Sequence, residues 1–255
     1  MLVISFDDNL SIFVIIKKIN IFNFHQLNIN LSLERDEVAV IFIETNKFLP
    51  YVDRLFALLS PVERAKIESF SFDDLKFKNI IYRGVLRILL SRFIKINPQA
   101  ILIRNQDQGK PFLCNNLDRG ILEFNLSHSF TWAVYAFALN RVVGIDIEED
   151  KNSIVPDDLV PLVFSSSERA SFAKLNLDTQ RSAFFKLWTQ KEALSKNYGY
   201  GLLMDFKNID IGFENKLIRS YENLLLYDLS NHEKYYAALA VNVKEHNMQR
   251  DFFKF

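Results

Sequence analysis

Cys114 is the only cysteine in 255 residues. A lone thiol forms no intrachain disulfide and offers no cysteine cluster for zinc, so a reducing cytoplasm is the expected setting. Excess charge is also missing, since 31 basic residues balance 31 acidic ones. With neither a net positive charge nor a dense Lys/Arg block, the chain lacks the phosphate-neutralising face of a nucleic-acid binder. Long hydrophobic runs are absent too. The apolar stretch from Leu10 is interrupted by Lys17 and Lys18, well short of the roughly 20 residues a membrane helix needs. No secretory leader is expected, because Asp7 and Asp8 stand where a basic n-region would sit. Glycine is scarce at seven residues against 24 phenylalanines, a balance that reads as genome bias and core filling and carries little functional content. The remaining balance, 49% hydrophobic and 24% charged, is that of an ordinary soluble globular protein.

What is present is a repeated pattern. Leu59-Ser60-Pro61-Val62-Glu63-Arg64-Ala65 returns as Phe164-Ser165-Ser166-Ser167-Glu168-Arg169-Ala170, 105 residues later. At the same offset, the apolar run Val38–Glu44 falls on Val143–Glu149. Both runs read as buried strands. Both Ser-x-x-Glu segments read as helix starts with a capping box. Two matches at one offset point to duplication. Further strands are expected near 12–16, 100–104, 121–126, 132–138, 224–228 and 235–243. Helices are expected near 51–58, 61–70, 73–95, 157–163, 166–174 and 178–197, with linkers at 105–120 and 149–156. The expected class is α/β, built as two similar α/β halves. Residues 1–36 read as an N-terminal extension, 37–120 as the first half and 121–255 as the second.

The second half carries the chemistry. In Gly144-Ile145-Asp146-Ile147-Glu148 the two carboxylates are two residues apart, hence on one face of a strand. Like charges on one face of a buried strand are costly unless a cation lies between them. An all-oxygen set with few protein ligands suits Mg²⁺, and Glu192 can supply a third oxygen. At the same offset Ile41 and Ile43 stand opposite Asp146 and Glu148, and Arg87 opposite Glu192, so the first half has no counterpart acids. Read without further context, Asp146 and Glu148 are equally consistent with surface acids at a strand end. Glu192 is equally a solvated helix residue paired with Lys196 at i+4, and Lys110, Lys191 and Lys196 are ordinary exposed lysines.

Gly109-Lys110-Pro111, Phe124-Asn125-Leu126-Ser127-His128-Ser129, Gly144–Glu148 and Trp188-Thr189-Gln190-Lys191-Glu192-Ala193 with Lys196, Gly199 and Gly201 resemble, in order and spacing, the motif set of the 4'-phosphopantetheinyl transferases in their long, Sfp-type branch. The likeness covers roughly residues 36–240. It implies two pseudo-symmetric halves with one active site in the cleft between them. With both halves of that site in one chain, the duplication leads to the expectation of a monomer. It implies Mg²⁺ on Asp146, Glu148 and Glu192, with Glu192 as the base toward the attacking serine and Lys196 acting beside it. By the same resemblance Ser127 and His128 contact coenzyme A, and Lys110, Lys191 and Lys196 neutralise its pyrophosphate. Lys66 approaches the 3'-phosphate. Lys78 stands where the family often has Arg, and a lysine lacks the bidentate fork. Glu168 matches a family position near the metal.

The implied reaction moves 4'-phosphopantetheine from coenzyme A to a serine of an apo acyl or peptidyl carrier protein and releases adenosine 3',5'-bisphosphate. Two rival classes are a carrier-binding protein without chemistry and a metal-dependent nuclease built on Asp-x-Glu. The intact acids argue against the first, and the absence of a basic stripe against the second. Neither nucleic acid nor membrane is an expected partner.

Overall fold

The computed structural model describes residues 2–6, 12–115, 120–149, 158–212, 218–231 and 233–243. Its strands are β1 (Leu2–Phe6), β2 (Ile12–Ile21), β3 (Glu37–Glu44), β4 (Ile103–Asn105), β5 (Pro111–Leu113), β6 (Leu122–Ser129), β7 (Trp132–Leu139), β8 (Val143–Glu149), β9 (Ile218–Tyr221), β10 (Leu224–Asp228) and β11 (Tyr235–Asn242). Its helices are α1 (Val52–Phe56), α2 (Pro61–Glu68), α3 (Asp73–Ile94), α4 (Val160–Val163), α5 (Ser166–Phe172) and α6 (Leu177–Tyr198). The class is mixed α/β, as the alternation of apolar runs and helical periods predicts. The expected linker at 149–156 lies almost wholly outside the described residues.

Two sheets organise the chain. One has the order β1-β2-β3-β7-β6, with β2 parallel to β3 and the other pairs antiparallel. The other has the order β8-β11-β10-β9 and is antiparallel throughout. Val38–Ile43 of β3 are all buried, because this strand is covered on both faces, which its unbroken apolar run requires. Val38, Val40 and Phe42 meet Val143, Ile145 and Ile147 in a core between the sheets. Ala39, Ile41 and Ile43 turn the other way, into a core with α3. A third core joins α6 to the outer face of β10 and β11 through Phe184, Leu187, Leu194, Leu226 and Ala238. The molecule is thus layered helix, sheet, sheet, helix.

Two expectations are corrected. Residues 1–36 are not appended to the first half, because β2 lies in its sheet, with Ile15–Ile21 paired in parallel to Glu37–Ile43. The boundary at 120/121 also moves. The β6–β7 hairpin pairs with β3 through Val38↔Ala138 to Glu44↔Trp132, so the first sheet closes at Leu139 and the second begins at Val143. Spacing alone could not show this, since a hairpin's partner strand is a long-range choice.

The two sheets are assembled from corresponding parts. β3 pairs with β7 and β7 with β6, just as β8 pairs with β11 and β11 with β10. A capped short helix precedes a helix of 22 residues in each case. Ser60 and Ser165 each accept from the backbone three residues on, and Glu63 and Glu168 each reach back. The helices, however, follow a different count from the strands. Arg87 is the fifteenth residue of α3, and the fifteenth of α6 is Lys191. The counterpart of Glu192 is therefore Ile88, not Arg87, because the segment leading into the second helix is one residue shorter.

Candidate active site

The site is built where the free edges of the two sheets meet. Alternation on β6 aims Asn125, Ser127 and Ser129 at β8. Asn125 Oδ1 accepts from Ile145 N at 2.9 Å, Ser127 Oγ donates to Asp146 Oδ1 at 2.8 Å, and Ser129 Oγ donates to Glu148 Oε2 at 2.7 Å. Side chains here substitute for a strand ladder. Asp146 and Glu148 share the face of β8 that looks toward α6, as the i, i+2 spacing predicts.

Gly144 sets how close α6 can come. A Cβ built there would lie 2.0 Å from Ala193 O and 2.4 Å from Asn197 N, so only a residue without a side chain lets the helix rest on the strand. That contact delivers Glu192 and Lys196, one helical turn apart, over the carboxylates. Gly199, in the left-handed region at φ 85°, then ends the helix as a C-terminal glycine does.

The result is a cleft of about 330 Å³ lined by Leu126, Ser127, His128, Asp146, Glu148, Trp188, Glu192 and Lys196. Lys196 Nζ donates to Asp146 Oδ1 at 2.6 Å and to Ser127 Oγ at 2.8 Å. It reaches across the cleft and not along its own helix to Glu192. Trp188 Nε1 donates to Glu148 Oε1 at 3.4 Å. Burial, then the neighbouring Asp146 carboxylate, push the Glu192 carboxyl up to about 7. The same two causes raise Glu148. Asp146 Oδ2 and Glu192 Oε1 are buried and have no hydrogen-bond partner, which is unusual for buried oxygens and calls for a missing partner. His128 lies flat on Tyr82, ring centroids 4.0 Å apart and planes within 5°. Its ring edge is exposed, and crowding by the surrounding protein, then the Lys196 ammonium, lower its imidazole below the ordinary value. Lys78 stands near enough to add to that effect.

The chemistry of this donor set fits a hard divalent cation: three carboxylates, two orphaned oxygens and raised acid pKa values. Among the described residues no three His, Cys, Asp or Glu side chains are yet gathered as a metal site. The Lys196 ammonium meanwhile supplies positive charge to Asp146.

Other residues singled out in the sequence lie elsewhere. Lys191 is fully buried, and its Nζ donates to Glu168 Oε2 at 2.5 Å and to the carbonyls of Val163, Phe206 and Ile209. Its place on the helix turns it away from Glu192's side, toward the loop that follows α6. Glu168 is likewise sealed in that pair, away from the carboxylates of β8. Lys110 is buried with Nζ donating to Val143 O and Asn197 O. It ties the Gly109–Pro111 turn to the strand–helix contact. Neither ammonium is among the residues lining the cleft, to whose pyrophosphate the resemblance assigns both. Lys66 is exposed on α2 and is not part of the cleft lining. Tyr82 and Ser129 were not foreseen. The stack under His128 joins α3 to β6, and sequence carries no signal for it. Ser129 could have been found from the alternation along Asn125-x-Ser127-x-Ser129.

A 4'-phosphopantetheinyl transferase superfamily profile matches residues 142–243, and a 4'-phosphopantetheinyl transferase N-terminal profile matches residues 50–140. The 4'-phosphopantetheinyl transferase HetI of Nostoc sp. is 31% identical over 173 residues, 68% of this chain and 73% of its own. Sfp of Bacillus subtilis is 27% identical over 159 residues, 62% of this chain and 68% of its own. The gsp enzyme of Aneurinibacillus migulanus is 34% identical over 148 residues, 57% of this chain and 59% of its own. Two profiles in tandem, and these relatives, place the chain in the 4'-phosphopantetheinyl transferase superfamily, as an enzyme of the Sfp type.

Proposed function

We propose that the chain transfers 4'-phosphopantetheine from coenzyme A to a serine of an apo acyl or peptidyl carrier protein, in a Mg²⁺-dependent reaction that releases adenosine 3',5'-bisphosphate. The observation that carries this reading is the convergence of Asp146, Glu148, Glu192 and Lys196 on one cleft, with two buried carboxylate oxygens lacking partners. Asp146, Glu148 and Glu192 would hold the ion. Once bound there, Mg²⁺ supplies charge neutralisation on the pyrophosphate oxygens.

The chain's own residues do the rest. Ser127 and Ser129 fix the rotamers of Asp146 and Glu148, and Trp188 holds the second oxygen of Glu148. Lys196 exchanges its contact with Asp146 for a phosphate oxygen when substrate enters. His128, stacked on Tyr82, offers an N–H to the same group. Glu192, lining the cleft one helical turn from Lys196, is assigned the role of general base. It takes the proton of the carrier serine as the serine oxygen bonds to the β-phosphorus and the bond to the leaving 3',5'-bisphosphate breaks. Lys78, beside His128, extends the positive wall. Lys66 is assigned to the 3'-phosphate, so Lys66→Ala should weaken coenzyme A binding and leave dephospho-coenzyme A unaffected. Equal weakening of both would remove that assignment.

The correspondence of parts further supports a duplicated ancestor with a pseudo-two-fold relation between halves. One chain then provides both sides of the cleft, consistent with a monomer. The deciding experiment incubates an apo carrier protein with coenzyme A and Mg²⁺ and reads its mass. A gain of the pantetheine arm supports the proposal, and no gain across a panel of fatty-acid, polyketide and peptide carriers overturns it.

A further inference from the structure

A second concavity lies at the far end of α3, with a volume of about 730 Å³, more than twice that of the cleft beside α6 and within the usual range for small-molecule sites. Its apolar lining includes Phe24, Leu27 and Ile88, and its polar lining joins the basic His25, Arg92 and Lys95 to the neutral Asn28 and Ser91. Among the described residues no Asp or Glu lines it. Arg92 Nε donates to Leu27 O at 3.2 Å, and Lys95 Nζ to Asn30 Oδ1 at 3.0 Å. These bonds anchor both cations at the rim. Each keeps further N–H donors, since a guanidinium has five and an ammonium three.

The concavity uses the same turn of its long helix as the cleft beside α6 does. Ile88 and Arg92 are the sixteenth and twentieth residues of α3, as Glu192 and Lys196 are of α6. Where α6 presents a carboxylate to its cleft, α3 presents an apolar side chain to this one, and the cation one turn on is kept. Phe24, His25 and Leu27 lie outside the regions matched by the two family profiles, whereas Ile88, Arg92 and Lys95 lie within the N-terminal one.

We propose that this concavity binds a small amphipathic anion, an aliphatic carboxylate, with its head on Arg92 and Lys95 and its chain against Phe24, Leu27 and Ile88, and with no metal. An arginine fork suits a carboxylate, and the apolar wall suits an alkyl chain.

The test is calorimetric titration of the full-length protein with sodium decanoate, with decanol as the neutral control. One saturable site is expected, with decanol at least tenfold weaker. Arg92→Gln and Lys95→Asn should each weaken decanoate by about tenfold, as loss of a charge-assisted hydrogen bond does. Asparagine is chosen because Lys95 sits at φ 58°, a conformation Asn tolerates. Arg92→Lys should retain most of the binding, which separates loss of charge from loss of fold. Asp146→Ala should bind decanoate like the parent whether or not the transferase reading holds. Absence of saturable binding, equal affinity for decanol, binding unmoved by Arg92→Gln and Lys95→Asn, or loss of binding in Asp146→Ala would each overturn the proposal.

Discussion

Each half of this molecule buries one ion pair at the same place, and the two pairs use different cations. In the first, Arg87 donates from Nε to Glu63 Oε2 at 2.8 Å and from Nη1 to the carbonyls of Pro98 and Ile101. In the second, Lys191 donates to Glu168 and to the carbonyls of Phe206 and Ile209, with Val163 in addition. Both glutamates also cap the short helix that precedes the pair. The cation thus fastens three things at once: a long helix, the cap of a short helix and the loop that follows the long helix. Beside these matched pairs, one residue further along each helix, the halves diverge completely: Ile88 in one and Glu192 in the other. Architecture is held in common while chemistry is confined to one side. A lysine next to a cleft-lining glutamate can serve the frame alone.

The sharpest way to break the comparison is at the positions where it fails. Asp146→Ala should lower transfer by roughly 10²–10³-fold or more, as loss of preorganised charge does, with an unchanged circular dichroism spectrum. Ile41→Ala, its opposite number, should cost about 2–5 kcal/mol of stability and leave the turnover of folded protein intact. Full activity in Asp146→Ala would sink the site assignment. Glu192→Gln keeps shape but cannot accept a proton, so turnover should fall by about 10²–10⁴-fold, with partial recovery at high pH as the serine ionises more readily.

Glu192 also gives a pH signature to the metal-free protein. Its folded pKa lies above the ordinary carboxylate value, near 7, so between pH 4.5 and 7 the folded state binds a proton that the unfolded state does not. Stability from this group is therefore present at pH 4.5 and lost as pH rises toward 7. Glu192→Gln should flatten that part of a urea-midpoint profile. An unchanged slope would mean that the carboxyl is not held in this environment.

The matched ion pairs come next. Removing one partner of a buried pair strands the other and costs about 3–5 kcal/mol. Lys191→Met and Arg87→Met should therefore destabilise to a similar degree in chemical denaturation. If Lys191→Met instead folds like the parent and loses coenzyme A affinity, the buried-pair reading fails and the family's phosphate assignment returns. Gly144→Ala is expected to cost at least about 1–3 kcal/mol, since its methyl would meet the backbone of α6. It should also disturb turnover by lifting Glu192 and Lys196 off the carboxylates. Ala39, on the corresponding face of β3, already carries a methyl, so the first sheet does not share this constraint.

The legibility of the chain followed the range of the interactions. Strands near 38–44, 132–138 and 142–148 and helices near 73–95 and 178–197 were legible because they depend on local periodicity and caps. The shared face of Asp146 and Glu148 was legible for the same reason. The attachment of β2 and of the β6–β7 hairpin to the first sheet was not, because partner choice between strands is non-local. The burial of Lys110 and Lys191 was not legible either. A motif records that a residue type is needed at a position, but an ammonium bonded to carbonyls and one facing phosphate look alike in sequence. The offset of 105 served the strands and misled at the helices, where one residue is missing and every facing side chain changes identity.

The smallest effect offers the cleanest check on the correspondence of the halves. Ser60 and Ser165 occupy the same capping position. Each accepts from the backbone N–H three residues on, Glu63 N at 3.3 Å and Glu168 N at 3.2 Å. Replacing a serine N-cap by alanine typically costs about 1 kcal/mol. The two are not identical, because Ser165 Oγ also donates to Asp210 Oδ2 at 3.1 Å, while Ser60 Oγ donates to Glu63 within its own capping box. Hydrogen bonds to Ser165, Ser167 and Gly212 N help hold the Asp210 carboxyl below its ordinary value, the largest part coming from Ser167. Removing Ser165 therefore loosens a carboxylate that keeps two of its three donors, whereas removing Ser60 frees Glu63 to rely on Arg87. Ser165→Ala should accordingly cost somewhat more than Ser60→Ala, by a few tenths of a kcal/mol, in paired urea denaturations at pH 7. At a pH low enough to protonate Asp210 the excess should vanish, because the extra acceptor is then neutral. Equal costs at both pH values would mean that the Asp210 contact adds nothing, and that the two caps are equivalent in energy as well as in place.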